Sequence, residues 1–201
     1  RTSTVDRRFG SAMFTLQRLR DLPLDAAQQT ALVQPAADLE SALGGACGEI
    51  VKSVCEGQVL EATFAIESLL HDDQGLVLPM LVQSLALCGV RGDLQAVPVP
   101  AGAPWPQPKA LAKGRAVRAR IENQVVTGRI IDSRADRVTL RVQRDHSVTF
   151  PTVPTSLCEP IDATPAEAVE MAFAALHAGK VAMARLWLGC ASVRAGEALA
   201  G

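Results

Sequence analysis

The sequence contains no tyrosine, and only 3% of its 201 residues are aromatic. It also lacks an uninterrupted apolar run of the roughly 18 residues that a membrane-spanning helix requires. Its 20 basic and 21 acidic side chains nearly cancel, whereas a disordered chain combines low hydrophobicity with a large net charge. Because 48% of the residues are apolar, we expect a globular chain whose core is built from aliphatic and alanine side chains.

The cysteines do not follow the spacing of a disulfide framework. There are five of them, an odd number, and most lie in apolar, alanine-rich surroundings. On one continuous helix, Cys47 and Cys55 would be about 12 Å apart, beyond the roughly 7 Å between α-carbons that a disulfide can bridge. Free cysteines favour a reducing, cytoplasmic location. The chain begins at Arg1 instead of a methionine, so we expect a processed product or a piece of a longer chain.

No catalytic or metal-binding motif is recognisable. The three histidines, His71, His146 and His177, stand at no metal-ligand spacing from a cysteine or from each other. His71 and His177 fall near the ends of predicted helices, where an imidazole suits the C-terminal dipole. A nucleophilic pair, such as Cys158 with His146, would have to be assembled by the fold. We therefore predict a protein that is not an enzyme and that needs neither a metal nor a cofactor.

Changes in hydrophobic periodicity predict an α+β protein. Apolar residues recur at steps of three and four before residue 96, alternate after the proline-rich stretch AVPVPAGAPWPQPK, and return to helical spacing from Thr164. The stretch contains five prolines, which forbid regular helix and favour an extended connector. The predicted parts are a helical bundle (1–95), a proline-rich linker (96–110), a small antiparallel β-barrel (111–162) and a helical hairpin (163–201).

Local signals predict where the helices of the bundle begin and end. Asp25 followed by Gln28 indicates a capped helix start. Pro35 and the pair Gly44–Gly45 are expected to break this region into successive helices. The last helix of the bundle is expected to run from about Leu78 to Cys88.

The middle of the chain resembles a known type of small barrel. RAVRARI, VVTGRII, RVTLRVQ and VTF read as strands, and a sheet this short needs to curl or pack to protect its edges. The run KGRAVRARIENQVVTGRIIDSRADRVTLRVQRDHSVTF is similar to barrels of the Src-homology-three, Sm-like and Sla-homology types. The resemblance implies a four- to five-stranded barrel, with Gly128 at the bend of the second strand. Such barrels bind peptides, bind RNA or serve structural roles.

The end of the chain is similar to a tetratricopeptide-type helix pair. Thr164-Pro165-Ala166-Glu167 is a capping box with proline at the first helical position. The segment AVEMAFAALHAGKVAMARLWLGCAS follows, and Gly179 is expected to close the first helix. A repeat array needs about three such units, so the resemblance implies the geometry of a helical hairpin only.

Basic side chains are concentrated in the middle of the chain. Residues 109–146 contain ten basic and four acidic residues, whereas the whole chain has a net charge of −1. Alternation along the strands sends four arginines to the face opposite the core, and a fifth, Arg129, joins them if Val126 and Ile130 point inward. Clustered guanidinium groups match carboxylate or phosphate oxygens, so this face is predicted to bind an anionic partner. The five are Arg118, Arg120, Arg129, Arg137 and Arg141.

Three interpretations of this face remain open. The first is a non-enzymatic protein–protein interaction or scaffold module. The alternative is RNA binding, against which the lack of stacking residues counts, because alternation places Phe150 inside the barrel. In the third, the arginines are solvated or dock onto the acidic helical region of the same chain.

Trp105 stands between Pro104 and Pro106 in the linker, which cannot bury so large a ring locally. We predict that Trp105 anchors the linker in a groove between the two halves of the chain. The alternative is that the proline-rich strip is displayed as a ligand for a partner.

Overall fold

Helices precede and follow an antiparallel sheet along the described chain, so the predicted α+β class is confirmed. A computed structural model describes residues 9–73, 75–86, 108–122, 124–134, 136–144 and 147–200. Residues 96–107 of the predicted linker, with Trp105, lie outside these ranges.

Four helices form the first part of the described chain. The predicted start at Asp25 is confirmed: its carboxylate accepts a hydrogen bond from the Gln28 backbone at 2.8 Å, and the Gln28 side chain accepts one from the Asp25 N–H at 3.1 Å. The first of these bonds satisfies a backbone N–H that the helix itself leaves without an acceptor. The helices are α1 (Phe9–Arg20), α2 (Ala26–Cys55), α3 (Val59–Leu70) and α4 (Leu78–Ala86).

The predicted breaks within α2 are wrong. This helix continues for 30 residues through Pro35, Gly44 and Gly45. An internal proline removes one hydrogen bond, and each glycine costs about 1 kcal/mol relative to alanine. One face of the helix offsets these costs, because it buries a stripe of apolar side chains at helical spacing. The stripe comprises Leu43, Ala46, Cys47, Ile50 and Val54.

Six strands of the described chain form the sheet, in the order β4-β3-β2-β1-β6, with β5 paired to β3. Alternation predicts the first four, whereas β5 and β6 have three residues each, too few for a period to be read. A bulge interrupts β2 between Ile130 and Asp132. The strands are β1 (Ala116–Ile121), β2 (Gln124–Ser133), β3 (Arg137–Arg144), β4 (Ser147–Thr149), β5 (Thr152–Pro154) and β6 (Cys158–Pro160).

Two antiparallel helices complete the fold, α5 (Pro165–His177) and α6 (Val181–Ala200). The predicted capping box is confirmed, since the Thr164 hydroxyl accepts from the Glu167 N–H and the Glu167 carboxylate accepts from the Thr164 N–H. Gly179 ends the hairpin turn with a φ of +73°, a conformation that glycine adopts without strain. The predicted helical hairpin is therefore present.

Buried side chains from the helices and the sheet form one hydrophobic cluster. Trp187 of α6 is its largest fully buried member, and α6 packs on α2, α3 and α5. Arg194 of α6 connects α6 to neighbouring segments by donating hydrogen bonds to the backbone carbonyls of Glu56 and Ala163.

No helix in the described ranges is long and apolar enough to cross a membrane. The described cysteines, Cys47, Cys55, Cys158 and Cys190, are all free thiols.

Candidate functional site on the outer face of the sheet

Alternation along the strands gives the sheet an inner and an outer face. The side chains of Val117, Ala119, Ile130 and Leu140 are buried on the inner face. The five arginines predicted to bind an anion occupy alternate positions and project from the opposite, outer face. We call this outer surface the arginine face. Its five arginines differ in what they contact.

Arg118 of β1 is engaged inside the molecule. Its Nε lies 2.8 Å from Oε1 of Glu159 on β6, and the Glu159 side chain is fully buried. Oε2 of the same carboxylate accepts a hydrogen bond of 2.8 Å from the backbone N–H of Leu60, in the first turn of α3. Burial raises the pKa of the Glu159 carboxyl to about 7, although the Leu60 hydrogen bond and the charge of Arg118 oppose this effect. Glu159 therefore joins the sheet to α3, and Arg118 contacts this carboxylate from the neighbouring strand.

Arg120, two residues further along β1, contacts α3 directly. Its guanidinium forms an ion pair of 2.9 Å with Glu67 and lies 4.8 Å from the centre of the Phe64 ring. Helix α3 thus covers the β1 end of the arginine face. Internal docking onto the helical region, one of the three interpretations of the sequence, therefore applies to Arg120, whereas the carboxylate partner of Arg118 lies in the sheet.

Ion pairs within the sheet and with α5 occupy further basic residues. Arg137 contacts Asp136 at 2.9 Å, and its hydrogen bond lowers the pKa of that exposed carboxyl. Among the ten basic residues between 109 and 146, five have a carboxylate partner within the described chain. These pairs are Arg115–Glu167, Arg118–Glu159, Arg120–Glu67, Arg134–Asp132 and Arg137–Asp136.

Arg129 and Arg141 remain exposed and form no ion pair with any described residue. They are direct cross-strand neighbours, because Arg129 of β2 pairs in register with Arg141 of β3. Arg129 donates a hydrogen bond of 2.8 Å to the carbonyl of Gly114, which orients its guanidinium. Side chains opposite each other in an antiparallel sheet are about 5 Å apart, so two positive charges meet on this part of the face.

The side chain of Phe150 does not lie where the sequence predicts. Alternation was expected to place its ring inside the barrel, but the residue is 59% exposed. Thr149 pairs with Val142, and Leu140 donates a backbone hydrogen bond to Pro151, so Phe150 lies opposite Arg141. The prediction is wrong because β4 pairs with β3 in a register that places Phe150 on the outer face, together with Val148, which is 42% exposed.

Arg129, Arg141 and Phe150 therefore form a row across three adjacent strand positions, which we call the open strip. Exposed apolar side chains adjoin it: Val148 pairs with Gln143, and Val125 lies further along β2. The open strip offers two guanidinium groups beside an aromatic ring and aliphatic surface. Alternation alone cannot identify the aromatic member, because it shows that Val148 and Phe150 share a face but not which face that is.

Two of the cavities on the described surface lie away from the open strip. One of about 360 Å³ is lined by Pro108, Lys109, Ala112, Lys113, Asp132 and Ser133. The other, of about 260 Å³, lies between α1 and α2 and is lined by Arg20, Leu24, Gln29, Leu32 and Val33. Neither of these two cavities is lined by a cysteine or a histidine. Within the described residues, no group of three or more His, Cys, Asp or Glu side chains is arranged to hold a metal ion.

His71 follows α3 directly at its C-cap position, and His177 is the last residue of α5, so both stand at helix ends as predicted. His146 lies outside the described residues.

The chain matches no protein-family model, no curated protein and no solved structure. The function is therefore inferred from the geometry of the chain's own residues.

Proposed function

We propose that this chain is a non-enzymatic protein-interaction module whose open strip binds an acidic segment of a partner protein. The observation that carries the proposal is the cross-strand row of Arg129, Arg141 and Phe150, which is exposed while the neighbouring arginines are engaged internally. Guanidinium groups bind carboxylates in bidentate fashion, and an aromatic ring beside them adds apolar contact area. Arginine and aromatic residues are also enriched among the residues that dominate protein interfaces.

The distribution of ion pairs favours a protein over a nucleic acid. A protein that tracks a phosphate backbone neutralises many phosphates, and its affinity grows with the number of free basic side chains. Here half of the ten basic residues between 109 and 146 are neutralised by carboxylates of the same chain. The two arginines of the open strip suit a short acidic segment better than a long polyanion.

We further propose that the sheet belongs to the small-barrel type that the sequence resembles. In support, a short 3₁₀ helix (Thr155–Leu157) leads into β6, which returns to pair with β1 and brings the two ends of the meander together. Gly128 also supports it: a Cβ there would lie 3.0 Å from Cγ2 of Val142 and 3.1 Å from the Arg141 carbonyl oxygen. Such close approach is typical of a strongly bent strand. Free cysteines support a cytoplasmic location.

RNA binding is the second candidate function, and one observation favours it. The exposed ring of Phe150 beside Arg141 is the type of residue on which single-stranded bases stack. This observation removes the objection that the sequence raised against RNA. The salt dependence of binding separates the two candidates, because phosphate contacts weaken steeply as salt rises.

A binding assay with matched variants tests the proposal. Labelled acidic peptides and a labelled single-stranded RNA are titrated with the full chain at two salt concentrations. The double variant Arg129→Glu/Arg141→Glu is expected to lose peptide binding. The control Arg134→Glu/Arg137→Glu makes the same change of charge at arginines that already have carboxylate partners, and is expected to bind normally. Equal losses in both variants, or RNA binding without peptide binding, would overturn the proposal.

A further inference from the structure

β4 is the terminal strand of the sheet, and its three residues are all exposed. Its one described strand partner is β3, through the pairs Val142–Thr149, Gln143–Val148 and Arg144–Ser147. A terminal strand presents unpaired N–H and C=O groups along its free side. The question is which residues supply them.

The alternating direction of the backbone N–H and C=O groups along the strand identifies these residues. Leu140 donates its N–H to the carbonyl of Pro151 at 2.9 Å, so the backbone groups of Pro151 face β3. Backbone groups alternate in direction along an antiparallel strand, so those of Thr149 also face β3. The N–H and C=O groups of Val148 and Phe150 consequently point to the free side. No turn, loop or cap hydrogen bond in the described part of the chain involves either of them.

The proline near this edge does not block it. Proline usually protects an edge strand by removing a donor from the side that faces solvent. Pro151 stands in the position whose missing N–H would have faced β3, so the free side keeps the donors of Val148 and Phe150. The side chains of the same two residues are exposed on the arginine face. One short edge therefore combines free backbone groups, apolar surface and the adjacent charge of Arg141.

We infer that the acidic partner segment binds by adding an extended strand to the free edge of β4. The inference rests on the proposed function and specifies how the segment is held. An added strand lies about 10 Å from β3, two strand spacings, and extended glutamate and arginine side chains together span that distance. Its outward acidic residues then reach Arg141, and their methylene groups pack on Val148 and Phe150.

Charge complementarity selects an acidic segment as the occupant instead of a second copy of this chain. A second copy that paired through the same edge would bring another Val148, Phe150 and Arg141 to the interface and no carboxylate from its own β4. An acidic segment meets the two arginines of the open strip with opposite charge. Main-chain hydrogen bonds then supply affinity, and alternate side chains supply specificity.

The test uses a fluorescein-labelled peptide in which four glutamates alternate with three valines between Gly-Ser spacers. Two N-methylated versions carry the methyl groups on all glutamates or on all valines. In a strand, one of these sets faces β4 and the other faces away. Methylation of one set is expected to weaken binding by more than about tenfold, because it removes edge hydrogen bonds, and methylation of the other set is expected to have little effect.

A protein variant gives a second readout. Val148→Pro removes an edge donor that β3 does not use, and is expected to abolish peptide binding while circular dichroism and thermal unfolding stay near those of the parent. Binding that depends on Arg141 but is insensitive to both methylated sets and to Val148→Pro would overturn strand addition and leave the proposed function standing. Absence of peptide binding to the parent protein would overturn both. A dimer that Val148→Pro converts to a monomer would assign the edge to a second copy, against the inference.

Discussion

The Glu159 carboxylate holds the side chain of Arg118 with one oxygen at 2.8 Å and the backbone N–H of Leu60 with the other at 2.8 Å. One fully buried group thereby joins β6, β1 and the first turn of α3. The helix terminus also favours a negative charge at this position. This contact holds the helical region against the β1 end of the arginine face and leaves the open strip uncovered.

Removal of the Glu159 carboxylate is expected to destabilise the fold strongly. In Glu159→Ala, Arg118 keeps a partly buried charge with no partner and Leu60 loses its acceptor, at a cost of roughly 3–5 kcal/mol in the free energy of unfolding. Glu67→Ala, which breaks the exposed pair with Arg120, is the control and is expected to cost under about 1 kcal/mol. Denaturant unfolding measures both. Similar losses for the two variants would contradict the prediction.

The raised pKa of Glu159 predicts a pH dependence of stability. The folded carboxyl titrates at about 7 and the ordinary value is 4.5, so the folded state binds this proton more tightly than the unfolded state. The contribution of Glu159 to stability therefore rises as the pH falls from about 7 to 4.5, by up to about 1.4 kcal/mol per pH unit. Above pH 7 the full cost of the buried charge is present.

The measurement is the free energy of unfolding at pH 5 and pH 8, in the parent and in Glu159→Gln. Glutamine keeps an acceptor for Leu60 but does not titrate, so the difference between the two proteins isolates Glu159. This comparison removes carboxyls whose pKa is lowered, such as Asp72 and Asp136, which act in the opposite direction. The prediction fails if the two proteins show the same change between the two pH values.

The sequence predicts the elements of this fold better than their contacts. The capping boxes at Asp25 and Thr164 are local, since each cap and its partner are three residues apart, and both form. The predicted break at Pro35 is wrong because α2 packs its apolar face against the core. The free energy of this packing outweighs the cost of placing a proline inside the helix. Local patterns cannot reveal how strongly a tertiary contact holds a helix together.

The candidate site illustrates the same limit. Alternation predicts which arginines leave the sheet on the outer face, and this follows from the strand period alone. Which of them remain free depends on Glu159 and Glu67, which lie 41 and 53 residues away from Arg118 and Arg120 in the sequence. No spacing rule links those positions. The exposure of Phe150 likewise depends on the register between β3 and β4.

Two glycines in helices are expected to respond in opposite ways to alanine. A Cβ on Gly10 of α1 would clash with the backbone oxygen of Asp72, so Gly10→Ala is expected to destabilise the protein by more than about 1 kcal/mol. Around Gly48 of α2 nothing lies within 4 Å of the added atom, and Gly48→Ala is expected to stabilise by about 0.5–1 kcal/mol. Thermal unfolding measures both, and a stabilising Gly10→Ala would show that α1 does not pack closely on the Asp72 loop.

The cysteines are expected to differ sharply in their reactivity towards a thiol reagent. Only the thiolate reacts, and burial raises the pKa of Cys158 to about 12, with a further contribution from the charge of Glu159. Burial also raises the pKa of Cys47, whereas Cys55, the last residue of α2, is only partly buried. The experiment starts from the variant Cys88→Ser. This change removes the cysteine that lies outside the described ranges, so that the four described thiols can be compared.

In that protein we expect one rapidly modified thiol at pH 8, which mass spectrometry of the labelled peptides should assign to Cys55. The further change Cys55→Ser should abolish the rapid phase, and the buried thiols should react only after guanidinium unfolds the chain. Rapid labelling of Cys158 in the folded protein would mean that β6 separates from α3 and exposes its neighbour Glu159. The shared core of sheet and helices would then be open in solution, contrary to the buried contacts that Glu159 makes.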